Sequence, residues 1–223
     1  MTLQALIFDF DGVIIDTETP EYEIWQTILA RFEVDLPLKD WERGMGSSLD
    51  AFDPVVFLEQ RLEKKVDRQS LKEEHRGLLL ADLAGRPPLP GVLETLIAAK
   101  QTGLLVGLAS SSGIDWVRGN LERLGLLAYF DVLCTSEDVG QVKPDPALYR
   151  LALERLGISG NQAVAFEDSP NGIRAACAAG IYVVAIPTPV SIRLDLSQAN
   201  QVVPSLDRLP LSTLMATMMA QAI

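Results

Sequence analysis

Two carboxylates one residue apart, Asp9 and Asp11, follow the apolar run Leu6-Ile7-Phe8 and lead into Gly12. Burying an anion is costly unless it is paired, neutralised or bound to a metal. An acidic pair at the mouth of a buried strand therefore calls for a cation. With one nearby, one carboxylate can attack while its neighbour moves protons. Two other apolar runs end in polar groups: Val106-Gly107-Leu108-Ala109 leads into Ser110-Ser111-Ser112, and Ala163-Val164-Ala165-Phe166 into Glu167-Asp168-Ser169. Each ending alone has an ordinary structural reading, because Asp-x-Asp is common in turns and serines before a helix often cap it. Three of them on one sheet edge would be poorly explained that way.

The chemistry that suits this set is phosphoryl transfer. Mg2+ takes oxygen ligands and commonly binds through one or two carboxylates plus a phosphate. Asp9, Asp168 and a backbone carbonyl near Asp11 are the candidate ligands. Asp9 is the candidate nucleophile, which would form an aspartyl-phosphate. Asp11 is the candidate proton donor and acceptor. Ser110, with Ser111 and the amides that follow, is the candidate cradle for phosphoryl oxygens, as helix N-termini hold anions. Lys143, in Val142-Lys143-Pro144-Asp145-Pro146, would set a fixed ammonium against the charge of the transition state.

The elements that must position these groups are read from hydrophobic pattern. Residues 3 to 8 have the continuous apolar character of a buried parallel strand. From Thr17 to about Arg86 the pattern turns helical and more polar. Tyr22, Trp25, Ile28, Leu29 and Phe32 predict an amphipathic helix over Pro20 to Arg31. Asp53-Pro54 predicts an N-cap with proline in the first turn, and Ser70-Leu71-Lys72-Glu73 a capping box. No strand is predicted in this stretch. After Arg86-Pro87-Pro88-Leu89-Pro90-Gly91, helices alternate with strands at Leu104 to Ala109, Asp131 to Cys134, Ala163 to Phe166 and Ile181 to Ile186. Such alternation implies a parallel, doubly wound α/β sheet with right-handed crossovers. The expected division is an α/β core of residues 1–16 and 87–223 with a helical cap, 17–86, inserted after the first strand. The methionine-bearing tail from Leu211 is expected to be a packing helix.

Composition limits the partners. A formal net charge of -11 argues against nucleic acid or an anionic membrane surface. No apolar run approaches the roughly 18 residues a membrane helix needs, and no leader pattern is visible, so a soluble, cytoplasmic protein is expected. Cys134 and Cys177 read as reduced core thiols. His75, the only histidine, sits in Lys72-Glu73-Glu74-His75-Arg76 and is expected to be exposed, which leaves a zinc site without support. Trp25 and Trp41 read as cap packing. Glu18 and Glu21 face either a cleft or solvent. A monomer is plausible for this size.

At these residues the sequence resembles the haloacid dehalogenase superfamily of aspartate-nucleophile phosphotransferases. Its four motifs occur in order as Asp9-Phe10-Asp11-Gly12, Ser110, Lys143-Pro144 and Glu167-Asp168. The resemblance implies Asp9 as nucleophile, Asp11 as acid and base, and Ser110 and Lys143 on the phosphate. It also implies Mg2+ on Asp9, the Asp11 main chain and Asp168, with Glu167 behind the ligands. The family's cap closes over the site and contributes substrate contacts. Asp11 favours phosphate esters, since the dehalogenases lack the second aspartate. The β-phosphoglucomutase-like proteins and small sugar-phosphate phosphatases form the most similar branch. Its mutases carry a histidine where this chain has Glu21, and an arginine after a cap Gly-x-Ser, where Gly46-Ser47-Ser48 is followed by Leu49. The resemblance thus implies a Mg2+-dependent phosphatase of a small phosphorylated metabolite. A phosphosugar mutase is the enzymatic alternative, and a non-catalytic phospho-acceptor protein the alternative of another class.

Overall fold

The computed structural model describes residues 2–41, 44 and 52–220. Six parallel strands run in the order β3-β2-β1-β4-β5-β6: β1 (Ala5–Phe8), β2 (Leu105–Ala109), β3 (Val132–Cys134), β4 (Ala163–Glu167), β5 (Tyr182–Ala185) and β6 (Gln201–Val202). The first five meet the expectation; β6 is a two-residue edge strand with too little pattern to be read in advance. The chain builds outward from β1 on both sides, so the strand order reverses beside it. Crevices at such a reversal are where open α/β sheets bind ligands.

Strand alternation explains the two cores. Leu6, Phe8, Val164, Phe166 and Val184 face one side, and Ala5, Ile7, Ala163, Ala165 and Val183 face the other. The first layer is covered by α5 (Val92–Gln101), α6 (Ile114–Arg123) and α9 (Leu211–Ala220), through Leu96, Val117, Leu121, Leu214 and Met218. The second is covered by α7 (Ala147–Leu156) and α8 (Pro170–Ala178), through Leu148, Tyr149, Ile173 and Ala176. α9 fulfils the expectation for the tail. Parallel register pairs Phe8 with both Leu108 and Phe166, which brings the ends of β1, β2 and β4 level.

Between β1 and α5 lie four helices: α1 (Glu18–Ala30), α2 (Leu38–Trp41), α3 (Pro54–Leu62) and α4 (Arg68–Leu83), with no strand among the described residues. Trp25, Ile28, Leu29, Leu36, Leu58 and Leu71 form their own apolar cluster. The Asp53 cap is as expected: its Oδ1 accepts from the amides of Val55 and Val56 at 2.8 and 3.2 Å, ahead of Pro54 in the first turn. α4 corrects the capping box. It starts two residues before Ser70, and Asp67 caps it by accepting from the Ser70 amide at 3.1 Å. Gly46-Ser47-Ser48 and Leu49 lie outside the described residues.

Two burial expectations are overturned. His75 is buried, because it shares the inner face of α4 with Leu71, Leu79 and Leu83. Its ring stacks on Trp25 with centroids 4.5 Å apart and planes 13° from parallel. Cys177 is exposed: on α8, Gly172, Ile173, Ala175 and Ala176 take the inner face and leave Arg174 and Cys177 outward. Cys134 is buried as expected. No helix among the described residues is long and apolar enough to cross a membrane.

Candidate active site

Register fixes the first contact. The Asp9 amide donates to the Phe166 carbonyl at 3.0 Å, so Asp9 leaves β1 directly beside Glu167 at the end of β4. Lys143, from the loop before α7, reaches between them with its Nζ 2.7 Å from Asp9 Oδ1 and 2.6 Å from Glu167 Oε1. A lysine only 2% exposed is tolerable because both carboxylates pair with it. Tyr149 of α7 donates its hydroxyl to the same Glu167 oxygen at 2.7 Å. Glu167 Oε2 accepts from the Asp168 amide at 3.2 Å and the Ser169 hydroxyl at 3.3 Å. Glu167 is thus fully engaged inside the protein. Gly172 makes room for it, because a Cβ there would lie 1.9 Å from Oε1.

Asp9 and Asp168 are less satisfied. Asp9 Oδ1 takes Lys143 and the Phe10 amide at 2.7 Å, while Oδ2 accepts no hydrogen bond from the described residues. Asp168 Oδ2 is buried without a hydrogen-bond partner among the described residues. Burial, and then the Glu167 charge, pushes the Asp9 carboxyl up to about 8 against the pull of Lys143. Burial, then Asp9 and Glu167, raises Asp168 well above the usual carboxylate range. Burial alone would depress Lys143, but the charges of Asp9 and Glu167 outweigh it and hold the ammonium above its ordinary value. Among the described residues three buried carboxylates face one ammonium, so the cluster is short of positive charge.

A hard divalent cation fits that shortage. Oxygens of Asp9, Glu167 and Asp168 all lie within 4.8 Å of one another. Gly12 keeps the approach open: its φ is +76° and a Cβ would sit 2.4 Å from Asp168 Oδ2, the orphaned oxygen. Asp11 does not bring its side chain to this cluster. Its Oδ1 accepts from Thr17 Oγ1 at 2.9 Å and Trp116 Nε1 at 3.0 Å, and its Oδ2 from Ser112 Oγ at 2.6 Å.

These groups open into a cavity of about 780 Å³ between the sheet edge and the four inserted helices. Asp9, Asp11, Lys143 and Asp168 line its floor, with Ser111, Ser112 and Trp116 at one side. Ser110 is fully buried and does not line it; its Oγ accepts the Ser112 amide at 3.0 Å and so shapes the turn. Ser111 does line it, and its buried Oγ has no partner among the described residues. The roof carries Glu18, Glu21, Trp25, Trp41, Lys72, His75 and Arg76. The two tryptophans therefore pack the helical cluster, as expected, and also face the cavity. Burial, then Asp11, pushes Glu21 up to about 7, and burial, then Glu21, raises Glu18 well above its ordinary value.

Asp9, Asp11, Ser111, Lys143 and Asp168 are thus brought to one cavity, with Glu167 behind them. The sequence reading missed Thr17, Ser112, Trp116 and Tyr149. Thr17 and Ser112 adjoin residues already singled out. Trp116 and Tyr149 carry no local signal, because their partners lie 105 and 18 residues away.

Comparison with known proteins follows the same lines. The chain is 40% identical over 213 residues to the protein YhcW of Bacillus subtilis (strain 168), covering 96% of each. It is 33% identical over 182 residues to a phosphorylated carbohydrates phosphatase of Thermotoga maritima, covering 80% of this chain and 82% of that one. The β-phosphoglucomutase of Clostridium difficile shares the fold, with a TM-score of 0.78 at 24% identity over 99% of both chains. A family model described as haloacid dehalogenase-like hydrolase matches residues 6–186. That span runs from β1 past the end of β5 and contains every residue of the edge cluster: the chain belongs to the haloacid dehalogenase-like hydrolases.

Proposed function

We propose that this chain is a Mg2+-dependent phosphatase that hydrolyses a small phosphorylated metabolite, a sugar phosphate or similar ester, through an aspartyl-phosphate on Asp9. The observation that carries the reading is the state of Asp9: Oδ1 is pinned by Lys143 and the Phe10 amide, and Oδ2 is left free in a residue that lines the cavity. Asp9, Asp168 and the Asp11 main chain would hold the metal, with Glu167 kept behind them by Lys143 and Tyr149. A bound Mg2+ would supply the positive charge that lets a phosphate approach clustered carboxylates.

The chain's own groups then divide the work. Asp9 Oδ2 attacks phosphorus while Lys143 holds charge on the phosphoryl oxygens. The unpartnered Ser111 hydroxyl is a ready donor to those oxygens, presented by the Ser110 turn. Asp11 protonates the leaving oxygen and later takes a proton from the attacking water. Residues 17–86 act as a cap on a core of 1–16 and 87–223, and their roof controls water and contacts the leaving group.

Glu21 sets this reading above a mutase. A glutamate on the roof, protonated or ionised, offers no positive charge to the second phosphate that a bisphosphorylated intermediate needs to carry. The phosphatase names of relatives such as the Thermotoga protein support the same choice. The test is Mg2+-dependent phosphate release over a panel of phosphorylated sugars, nucleotides and organic acids, with Asp9→Asn beside the wild type. The wild type should turn over at least one sugar-like ester and the variant none. Wild-type turnover by Asp9→Asn would remove Asp9 from the nucleophile's place.

A further inference from the structure

Asp11, in the proposed reaction, must both give and take a proton, and three donors converge on it. Thr17 Oγ1 and Trp116 Nε1 both reach Oδ1, at 2.9 and 3.0 Å, while Ser112 Oγ reaches Oδ2 at 2.6 Å. A carboxylate oxygen offers about two acceptor positions. Oδ1 is therefore filled, and Oδ2 has one position left. The two hydroxyls can rotate from donor to acceptor when Asp11 gains a proton, but the indole N–H only donates. Trp116 sits in the first turn of α6, lines the cavity and packs against the core, so its N–H is held in place.

We propose that Trp116 is a positioning residue that reserves Oδ1 of Asp11 as an acceptor and so assigns the travelling proton to Oδ2. The assignment rests on the reading of Asp11 as acid and base. In the first half-reaction the Asp9–phosphorus bond forms as the ester P–O bond breaks, and the proton on Asp11 Oδ2 passes to the leaving alkoxide. In the second, the oxygen of water bonds to phosphorus as the Asp9–phosphorus bond breaks, and a water proton returns to Oδ2. Loss of the indole donor frees Oδ1 to take the proton and unfixes the carboxyl, without removing either the nucleophile or a phosphate ligand.

The distinguishing readout is the leaving group. Trp116→Phe keeps the ring and removes the N–H. The wild type and variant are compared with Mg2+ on an alkyl phosphate from the panel and on p-nitrophenyl phosphate, whose phenolate departs without a proton. Only the first bond cleavage is followed, in the pre-steady-state burst. On the alkyl ester the burst rate should fall about tenfold, a fraction of the roughly 100- to 10,000-fold that a positioned acid supplies. On p-nitrophenyl phosphate it should stay unchanged, and the substrate concentration that half-saturates the burst should stay unchanged for both. An equal loss on the two esters, or none on either, overturns the assignment. Failure of the wild type on both esters would instead sink the phosphatase reading. A second measurement needs no turnover: the indole N–H resonance missing from Trp116→Phe should shift upfield in Asp11→Ala, and an unmoved signal overturns the contact.

Discussion

His75 makes the stability of this protein depend on pH in a direction that can be worked out. The ring lies on Trp25, 4.5 Å between centroids, and is 7% exposed. Burial pulls its pKa down to about 4, against a weak opposing contact with the Glu21 carbonyl, 3.4 Å from Nε2. In the unfolded chain a histidine titrates near its ordinary value of about 6.5. Between these values the unfolded chain binds a proton that the folded chain refuses, so stability is lost as pH falls through the window. The full difference, about 2.5 pK units at 1.36 kcal/mol each, is about 3 kcal/mol, and about 2.5 kcal/mol of it is reached near pH 4.5. Asp9 and Glu21 act in the opposite sense. Their folded values, about 8 and about 7, lie above the unfolded ones, so acid stabilises the fold through them. The raw pH profile therefore mixes signs, and a variant isolates the histidine. His75→Phe keeps a flat ring on Trp25 and does not titrate. Urea unfolding near pH 7.5 and pH 4.5 should show the wild type losing about 2.5 kcal/mol more than the variant. Equal losses in the two proteins would refute the argument, because they would show that His75 is protonated as readily inside as outside.

Two further substitutions probe the floor of the cavity. Lys143→Met removes the ammonium 2.7 Å from Asp9 and 2.6 Å from Glu167 and should cost about 3 kcal/mol or more by chemical denaturation, the scale expected when one partner of a buried ion pair is deleted. Unchanged stability would mean that the carboxylates take up protons at little cost and that Lys143 is not their counterion. Gly12→Ala would place a Cβ 2.4 Å from Asp168 Oδ2 and force a left-handed residue at a φ of +76°, at a backbone cost of about 1–2 kcal/mol. Beyond that cost, if Mg2+ binds at the proposed site it should raise the melting temperature of the wild type and leave that of the variant unchanged. A Gly12→Ala protein that Mg2+ still stabilises to the wild-type extent would take Asp168 out of the metal set.

Local pattern carried most of the fold, because strand alternation, proline breaks and helical period are all short-range. The edge cluster was legible for a related reason: once β1, β2 and β4 are parallel and level, whatever ends each run must share one edge. Asp9, Glu167 and Asp168 meet on those grounds alone, and Lys143 joins them from the loop before α7. What a serine does within Ser110-Ser111-Ser112 was not legible, since a turn of the backbone decides which hydroxyl faces the cavity; it buries Ser110 and leaves Ser111 unpartnered. His75 could have been found. Leu71, Leu79 and Leu83 lie four and eight residues from it, so helical spacing sets it on their buried face, and the charged neighbours in sequence occupy the other faces. Trp116 could not have been found, because its partner is 105 residues away and only the level register of β1 and β2 sets the start of α6 above Asp11. On the proposed reading the motif residues carry the bond-making chemistry, whereas the direction in which Asp11 offers its proton depends on a residue no motif contains. Chains with the same motif set but no donor at this helix position should differ from this one in leaving-group dependence before they differ in phosphate binding.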